Sequence, residues 1–186
     1  MLHRSYRRHD IGFTLVELII SIVLLGILAA VGSTIIVDSF TTTRIVNAGN
    51  NSSGQARYAL ERLAREIREI KFVGSGLSGN YAISAPSPLS PSGTLVFTKS
   101  VGGADITVTI NKSGSNLTLG YSSPAQTSTL SNQVSNFTLT FLPITGGASP
   151  PPDTSTVRFV VIDLSVTDPI SGQSISQRTR VVLRNA

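Results

Sequence analysis

The stretch Gly12-Phe13-Thr14-Leu15-Val16-Glu17-Leu18 opens an apolar run that reaches Val37. Within residues 13–37 the only ionisable side chain is that of Glu17. At about 1.5 Å rise per residue, a helix over these residues is about 37 Å long, enough to cross a hydrocarbon core of about 30 Å. The run therefore predicts a membrane-spanning helix with one carboxylate near its start.

Glu17 is the residue of this span that needs an explanation. Burying an unpaired carboxylate in lipid costs on the order of several kcal/mol, so a glutamate at this depth indicates a function and a positively charged partner. If the chain is cut after Gly12, the new α-amine of Phe13 supplies that charge, in the same subunit or in a neighbouring one.

A basic leader, the sequence of residues 12–17 and the long apolar run together resemble the class III signal of type IV prepilins and pseudopilins. In that family a membrane-embedded aspartyl peptidase cuts after the glycine, the new N-terminal phenylalanine is N-methylated, and the glutamate is needed for assembly. The resemblance implies that Gly12 is the cleavage glycine, Phe13 the methylated residue and Glu17 the assembly residue. It further implies a prepilin peptidase, other pilins or pseudopilins and the bacterial inner membrane as partners. One departure is that no proline precedes Pro86, whereas many pilins carry one inside the span.

Residues 1–12, the predicted leader, carry three arginines against one acid, Asp10. Positive charge beside a span keeps that side in the cytoplasm, so the remainder is expected in the periplasm, in a pilus or at the cell surface. A conventional secretory signal is the alternative, because Ala30 and Gly32 are small residues at the spacing that a signal peptidase requires, after an apolar stretch. Glu17 inside the run argues against this alternative.

The span, residues 13–37, leads into a second segment with the pattern of an amphipathic helix, residues 38–72. Its apolar residues recur at alternating spacings of four and three, which predicts one buried helix face; these residues, the helical stripe, are Ala56, Leu60, Leu63, Ile67 and Ile70. Opposite charges four residues apart also favour a helix, in the pairs Arg57–Glu61, Glu61–Arg65, Arg62–Glu66 and Arg65–Glu69. We predict one helix from about Phe13 to Lys71, with a local loosening at Asn47–Gly54, where Asn, Ser and Gly are weak helix formers. A coiled-coil dimer is the alternative for the stripe, which covers about two heptads.

Residues 73–186 are predicted to form a β-rich domain. Only ten of these 114 residues are charged, and apolar residues alternate with Thr and other polar residues at 106–110, 117–121 and 137–141. Further strands are expected at 94–99 and in a hairpin of 156–168 with 174–184, and residues 74–93 are expected to form a loop. The predicted fold class is α+β: the long N-terminal helix packs on an antiparallel sheet, because stripe and sheet each need the other to leave water. This plan is similar to that of the pilin family.

The residues offer little for catalysis. The chain has no cysteine, its two histidines lie in the leader, and its aspartates after residue 72 are dispersed. We therefore expect a protein that is not an enzyme and binds neither a metal nor a cofactor. Removal of the leader leaves 12 basic and 9 acidic residues, a net charge of +3, which does not by itself indicate nucleic acid. The last predicted strand carries three arginines, Arg178, Arg180 and Arg184. They leave an acidic partner or DNA as an alternative, although the absence of interleaved aromatics favours a solvated strand face.

Two functions of different kinds fit these observations. The first is a minor type IV pilin or pseudopilin, a structural subunit that co-assembles through its helix, at an initiating or tip complex. The low-copy placement follows from the missing disulfide, from the weak helix at Asn47–Gly54, and from residues 55–67, which resemble the helix of minor pilins and J-type pseudopilins. The alternative is a membrane-anchored binding module, an adhesin or DNA-uptake tip protein that uses its β domain.

Overall fold

The computed structural model describes residues 12–74, 79–87, 89–143, 151 and 153–184. The predicted leader lies outside these residues except for Gly12. The chain separates into two compact units, residues 1–44 and 45–186.

The one α-helix among the described residues, α1, runs from Leu15 to Arg68. It begins two residues after the predicted start and ends three residues before the predicted end. The loosening predicted at Asn47–Gly54 is wrong, because the helix is continuous there. Contacts made by the weak helix formers explain this: the Ser52 hydroxyl, which is buried, donates to Gln133 Oε1 at 2.9 Å. Tertiary packing, rather than intrinsic propensity, stabilises most helices in proteins.

The part of α1 in the first unit is apolar on all sides and solvent-exposed. Its large apolar side chains, from Leu15 to Phe40, are all at least half exposed. Its hydroxyl groups bond back to the helix, as Ser21 Oγ donates to the Glu17 carbonyl at 2.7 Å and Thr34 Oγ1 to the Val31 carbonyl at 2.8 Å. Such bonds remove the cost of placing Ser and Thr in an apolar medium. By length and composition this helix is able to cross a membrane.

The described residues of the second unit form ten antiparallel strands in addition to the end of α1. These strands are β1 (Phe72–Val73), β2 (Asn80–Tyr81), β3 (Ile83–Ala85), β4 (Thr94–Val101), β5 (Ala104–Ser113), β6 (Asn116–Ser122), β7 (Ala125–Ser131), β8 (Val134–Pro143), β9 (Val157–Thr167) and β10 (Ser174–Val182). A five-stranded sheet has the order β3-β4-β5-β6-β7, a three-stranded sheet has the order β10-β9-β8, and β1 pairs with β2. The predicted α+β class is confirmed, with the strands divided between two larger sheets instead of one.

Four described strands were not expected from the sequence: β7, β3 and the two-residue strands β1 and β2, of which β2 also lies in the segment predicted as a loop. Strand β7 is mostly polar and exposed, so it lacks the apolar alternation that marks a half-buried strand. Strand β3 lies inside the segment predicted as a loop, residues 74–93, and pairs with β4 through an irregular register. The other expected strands are present, including the β9–β10 hairpin. Between β4 and β5 the chain turns at Gly102 and Gly103, whose positive φ angles of 59° and 85° suit a two-residue hairpin turn.

One hydrophobic core joins the helix to both larger sheets. Leu63 and Ile67 of the helical stripe are fully buried, and Leu60 and Ile70 are 7% and 4% exposed. The same core contains Leu95 and Phe97 of β4 and the inner face of β9, Val160, Ile162, Leu164 and Val166. Because the stripe is buried in the chain's own core, it does not present the exposed seam that a coiled-coil dimer requires.

Candidate functional site

The peptide bond between Gly12 and Phe13 lies just before the helix in the first unit. Residues 12–14 are not helical, and Phe13 is 73% exposed. A Cβ added to Gly12 would meet no atom within 4 Å. The chain itself therefore leaves room for a larger side chain here, and any requirement for glycine would come from an enzyme that cuts the bond.

Thr14 begins the helix, a role that the sequence analysis missed. Its Oγ1 accepts a hydrogen bond from the Glu17 backbone N–H at 3.3 Å, and its carbonyl accepts one from the Leu18 N–H at 3.2 Å. A threonine followed three residues later by glutamate is the sequence signature of a helix N-terminus, so the signal was present.

Glu17 lies in the first turn of α1, where the helix dipole favours a negative charge. Its side chain makes no ion pair or hydrogen bond with any residue that the structure describes. Among the described residues the carboxylate of Glu17 thus has no partner, and the residue is exposed. It is free to accept a positive group from a neighbour, which in an apolar medium is needed to offset its desolvation.

Comparison with known protein families gives one finding for this region. Residues 7–33 match the family model of the prokaryotic N-terminal methylation motif. The match supports the type IV prepilin and pseudopilin class. It covers about one seventh of the chain, and includes the second half of the leader with Gly12, then Phe13, Glu17 and the first part of the apolar helix. No curated protein matches the chain significantly.

The prepilin motif carries consequences for the whole chain. It implies processing by a prepilin peptidase and assembly with other pilins. Together with the apolar N-terminal helix it supports anchoring in a membrane. Proteins with this motif are generally structural and not catalytic. Among the described residues no three His, Cys, Asp or Glu side chains cluster as metal ligands.

A buried polar cluster in the second unit was also missed by the sequence analysis. Glu66 of α1 is 2% exposed and receives Lys99 Nζ at 2.7 Å, Arg62 Nη2 at 3.0 Å and the Tyr121 hydroxyl at 2.8 Å. Lys99 lies on β4 and also bonds Glu69 at 3.0 Å. Because Tyr121 belongs to β6, the cluster joins the helix to two strands of the five-stranded sheet.

The charges of this cluster compensate one another. Burial alone would lower the pKa of Lys99, but hydrogen bonds from its ammonium to Glu66 and Glu69 outweigh burial and raise the pKa. Burial raises the pKa of Tyr121, and its hydrogen bond to Glu66 acts in the same direction. Lys99 therefore stays charged and Tyr121 stays neutral at physiological pH. The cluster therefore stabilises the packing of α1 on the five-stranded sheet.

The sequence contained a signal for this pair. Leu63 follows Ala59 by four residues and Glu66 follows Leu63 by three. Glu66 therefore falls on the same helix face, which is buried. Lys99 continues the alternation of Leu95 and Phe97 on the buried face of β4. One buried acid and one buried base on packed elements predict an ion pair. From the sequence, Glu66 was expected only in an i,i+4 pair with Arg62. Of the four predicted i,i+4 pairs, this one is found among the described residues.

The arginines of the last strands have separate surroundings. Arg178 pairs with Asp163 at 2.5 and 3.1 Å, and the Arg180 guanidinium lies 3.7 Å from the ring centre of Phe159. Arg184 is exposed and makes no ion pair with a described residue. Arg178 and Arg184 line one groove together with residues of α1, whereas Arg180 does not line it.

Replacing Glu66 by alanine should destabilise the second unit by roughly 2–4 kcal/mol, because Lys99 and Tyr121 lose their buried acceptor. The free energy of unfolding is measured by urea titration of the full-length protein in mild detergent, followed by the near-ultraviolet circular dichroism of its tyrosines. Glu61→Ala is the matched control, since Glu61 is exposed on the same helix without an ion pair, and should change stability by less than about 0.5 kcal/mol. Equal effects of the two substitutions would show that the cluster contributes nothing.

Proposed function

We propose that this chain is a minor type IV pilin or pseudopilin, a non-catalytic subunit that enters a pilus or secretion pseudopilus through its N-terminal helix. A prepilin peptidase cuts between Gly12 and Phe13 on the cytoplasmic side, and the new N-terminus of Phe13 is methylated. Glu17 then pairs with the Phe13 amine of a neighbouring subunit. The observation that carries the proposal is the N-terminal methylation motif over residues 7–33, at the start of an exposed apolar helix.

The pairing of Glu17 follows from its surroundings. The residue is a lone carboxylate in an apolar stretch, and it has no partner within the described part of its own chain. Cleavage at Gly12 would create a positive charge four residues away along the sequence. The Phe13 amine of an adjacent subunit reaches Glu17 when the two helices are offset along their axes. The pairing then fixes the axial offset between the two subunits.

A place at the initiating or tip complex, in few copies, is supported by two features. Residues 55–67 are similar to the helix of minor pilins and J-type pseudopilins, and the chain lacks the cysteines of the usual pilin disulfide. The weak helix once expected at Asn47–Gly54 no longer supports this placement, because α1 is continuous.

Cleavage is tested by replacing Gly12 with leucine. We expect the variant to keep its leader, because the peptidase requires glycine at this position while the chain itself has space for a side chain. Mass analysis of the N-terminus of the membrane-extracted protein should find methylated Phe13 in the wild type and residues 1–12 still attached in the variant. A wild-type N-terminus at Ser33 would establish the secretory alternative and refute the proposal.

Assembly is tested by replacing Glu17 with valine. The variant should insert and be cleaved normally, yet its amount in filaments should fall at least about tenfold, because an attraction worth several kcal/mol in low dielectric is lost. Asp38→Val, which removes another exposed carboxylate from the same helix, is the matched control. Quantitative mass spectrometry of sheared filaments measures the amount of both variants. In wild-type filaments it should find far fewer copies of this chain than of the most abundant pilin. Normal incorporation of Glu17→Val would refute the role of Glu17, and a wild-type amount equal to that of the major pilin would refute the minor placement.

A further inference from the structure

Strand β10 forms one edge of the three-stranded sheet. No described strand pairs with its outer side, so alternate backbone N–H and C=O groups there lack a strand partner. Natural proteins usually protect such edges with short strands, prolines or bulges. Strand β10 has nine residues, no proline, and an unbroken register with β9. It is therefore a long and regular edge that is able to accept another strand.

A groove of about 1130 Å³ runs between this edge and the second half of α1, and we name it the arginine groove. Its floor is apolar, with Leu60 and Leu183 buried and Ala64 half-buried. Arg57, Arg65, Arg68, Arg178 and Arg184 line it, together with Glu61 and Glu69. The groove is thus amphipathic, with an apolar floor and a cationic border.

Most of this positive charge is not neutralised within the chain. Arg178 is paired with Asp163, and Glu69 with Lys99. Arg57, Arg65, Arg68 and Arg184 make no ion pair with a described residue, and Glu61 is the remaining acid. Four unpaired cations against one unpaired acid leave a local charge of about +3. An occupant of the opposite charge would be attracted to the groove and oriented by it.

We propose that the arginine groove binds an extended, acidic segment of a different protein, which adds to β10 as a fourth strand. The free edge supplies the backbone hydrogen bonds, the floor takes apolar side chains, and the arginines pair with carboxylates. A second copy of this chain does not fit the requirement: after residue 72 its four acids are all aspartates, and no two lie closer than five positions. Single-stranded nucleic acid fits less well, since none of the described residues that line the groove is aromatic and could stack on a base.

The inference is independent of cleavage and of filament assembly. Under the proposed function the segment belongs to another subunit of the complex, but binding to the groove is measurable with purified protein alone. Failure of this proposal would therefore leave the proposed function intact, and the reverse also holds.

The test uses full-length protein in a nonionic detergent and fluorescent octapeptides. An octapeptide of alternating valine and glutamate is about 26 Å long when extended, which is close to the length of β10. It should bind with a measurable change in fluorescence anisotropy, whereas the same peptide with lysine in place of glutamate should not bind. A copy with methylated backbone nitrogens keeps the charge but cannot donate to the strand edge, and should bind at least about tenfold more weakly.

Two variants with the same change of charge locate the site. Arg68→Glu places an acid inside the groove and should weaken binding at least about tenfold. Arg44→Glu places an acid on an exposed position of the same helix outside the groove, and should change binding less than about twofold. The side chains of Arg68 and Arg44 make no hydrogen bond or ion pair with a described residue, so both variants are expected to fold.

Several results would overturn the proposal. These are no binding of the glutamate peptide, equal binding of its lysine or N-methylated counterpart, and equal effects of Arg68→Glu and Arg44→Glu. Competition by single-stranded DNA that is as strong as that of the glutamate peptide would also overturn it, because the surface would then recognise polyanions without forming a strand.

Discussion

The second unit depends on the burial of one face of α1 in the core that it shares with the two larger sheets. Leu63 and Ile67 are fully buried, and the inner side chains of β4 and β9, which belong to two different sheets, are buried in the same core. Each of these surfaces alone would expose a row of apolar side chains to water, at roughly 25 cal/mol for each Å². The Glu66–Lys99 pair lies beside this core and ties the helix to β4. Helix and sheets therefore stabilise one another as a single cooperative structure.

In the first unit the same helix is suited to an apolar medium instead of water. From Leu15 to Phe40 its apolar side chains are exposed on every side, which is unstable in water but suited to lipid or to a bundle of similar helices. Glu17 and the hydrogen bond from its backbone N–H to Thr14 lie at the N-terminal end of this stretch, within the methylation motif. One continuous helix thus has an apolar first half that is suited to anchoring the chain and a second half that is part of the folded core.

The sequence predicted the elements with strong periodicity and missed those without it. The helical stripe and strand β9 were found because apolar residues recur at fixed spacings. Strand β7 was missed because its pairing to β6 relies on backbone hydrogen bonds and buries few side chains. The continuity of α1 at Asn47–Gly54 was missed because contacts such as Ser52 with Gln133 join residues 81 positions apart. At the candidate site, Gly12, Phe13 and Glu17 were readable from a local motif, whereas the arginine groove exists only after β10 and α1 are brought together.

The central claim, that residues 45–70 complete the core of the second unit, is tested most directly by thermal unfolding of two fragments. A fragment of residues 45–186 should be soluble, have a β-rich circular dichroism spectrum and unfold in one cooperative transition. A fragment of residues 72–186 should lack that transition and aggregate, because the surfaces that Leu63 and Ile67 cover would be exposed. Cooperative unfolding of the shorter fragment at the temperature of the longer one would contradict the account.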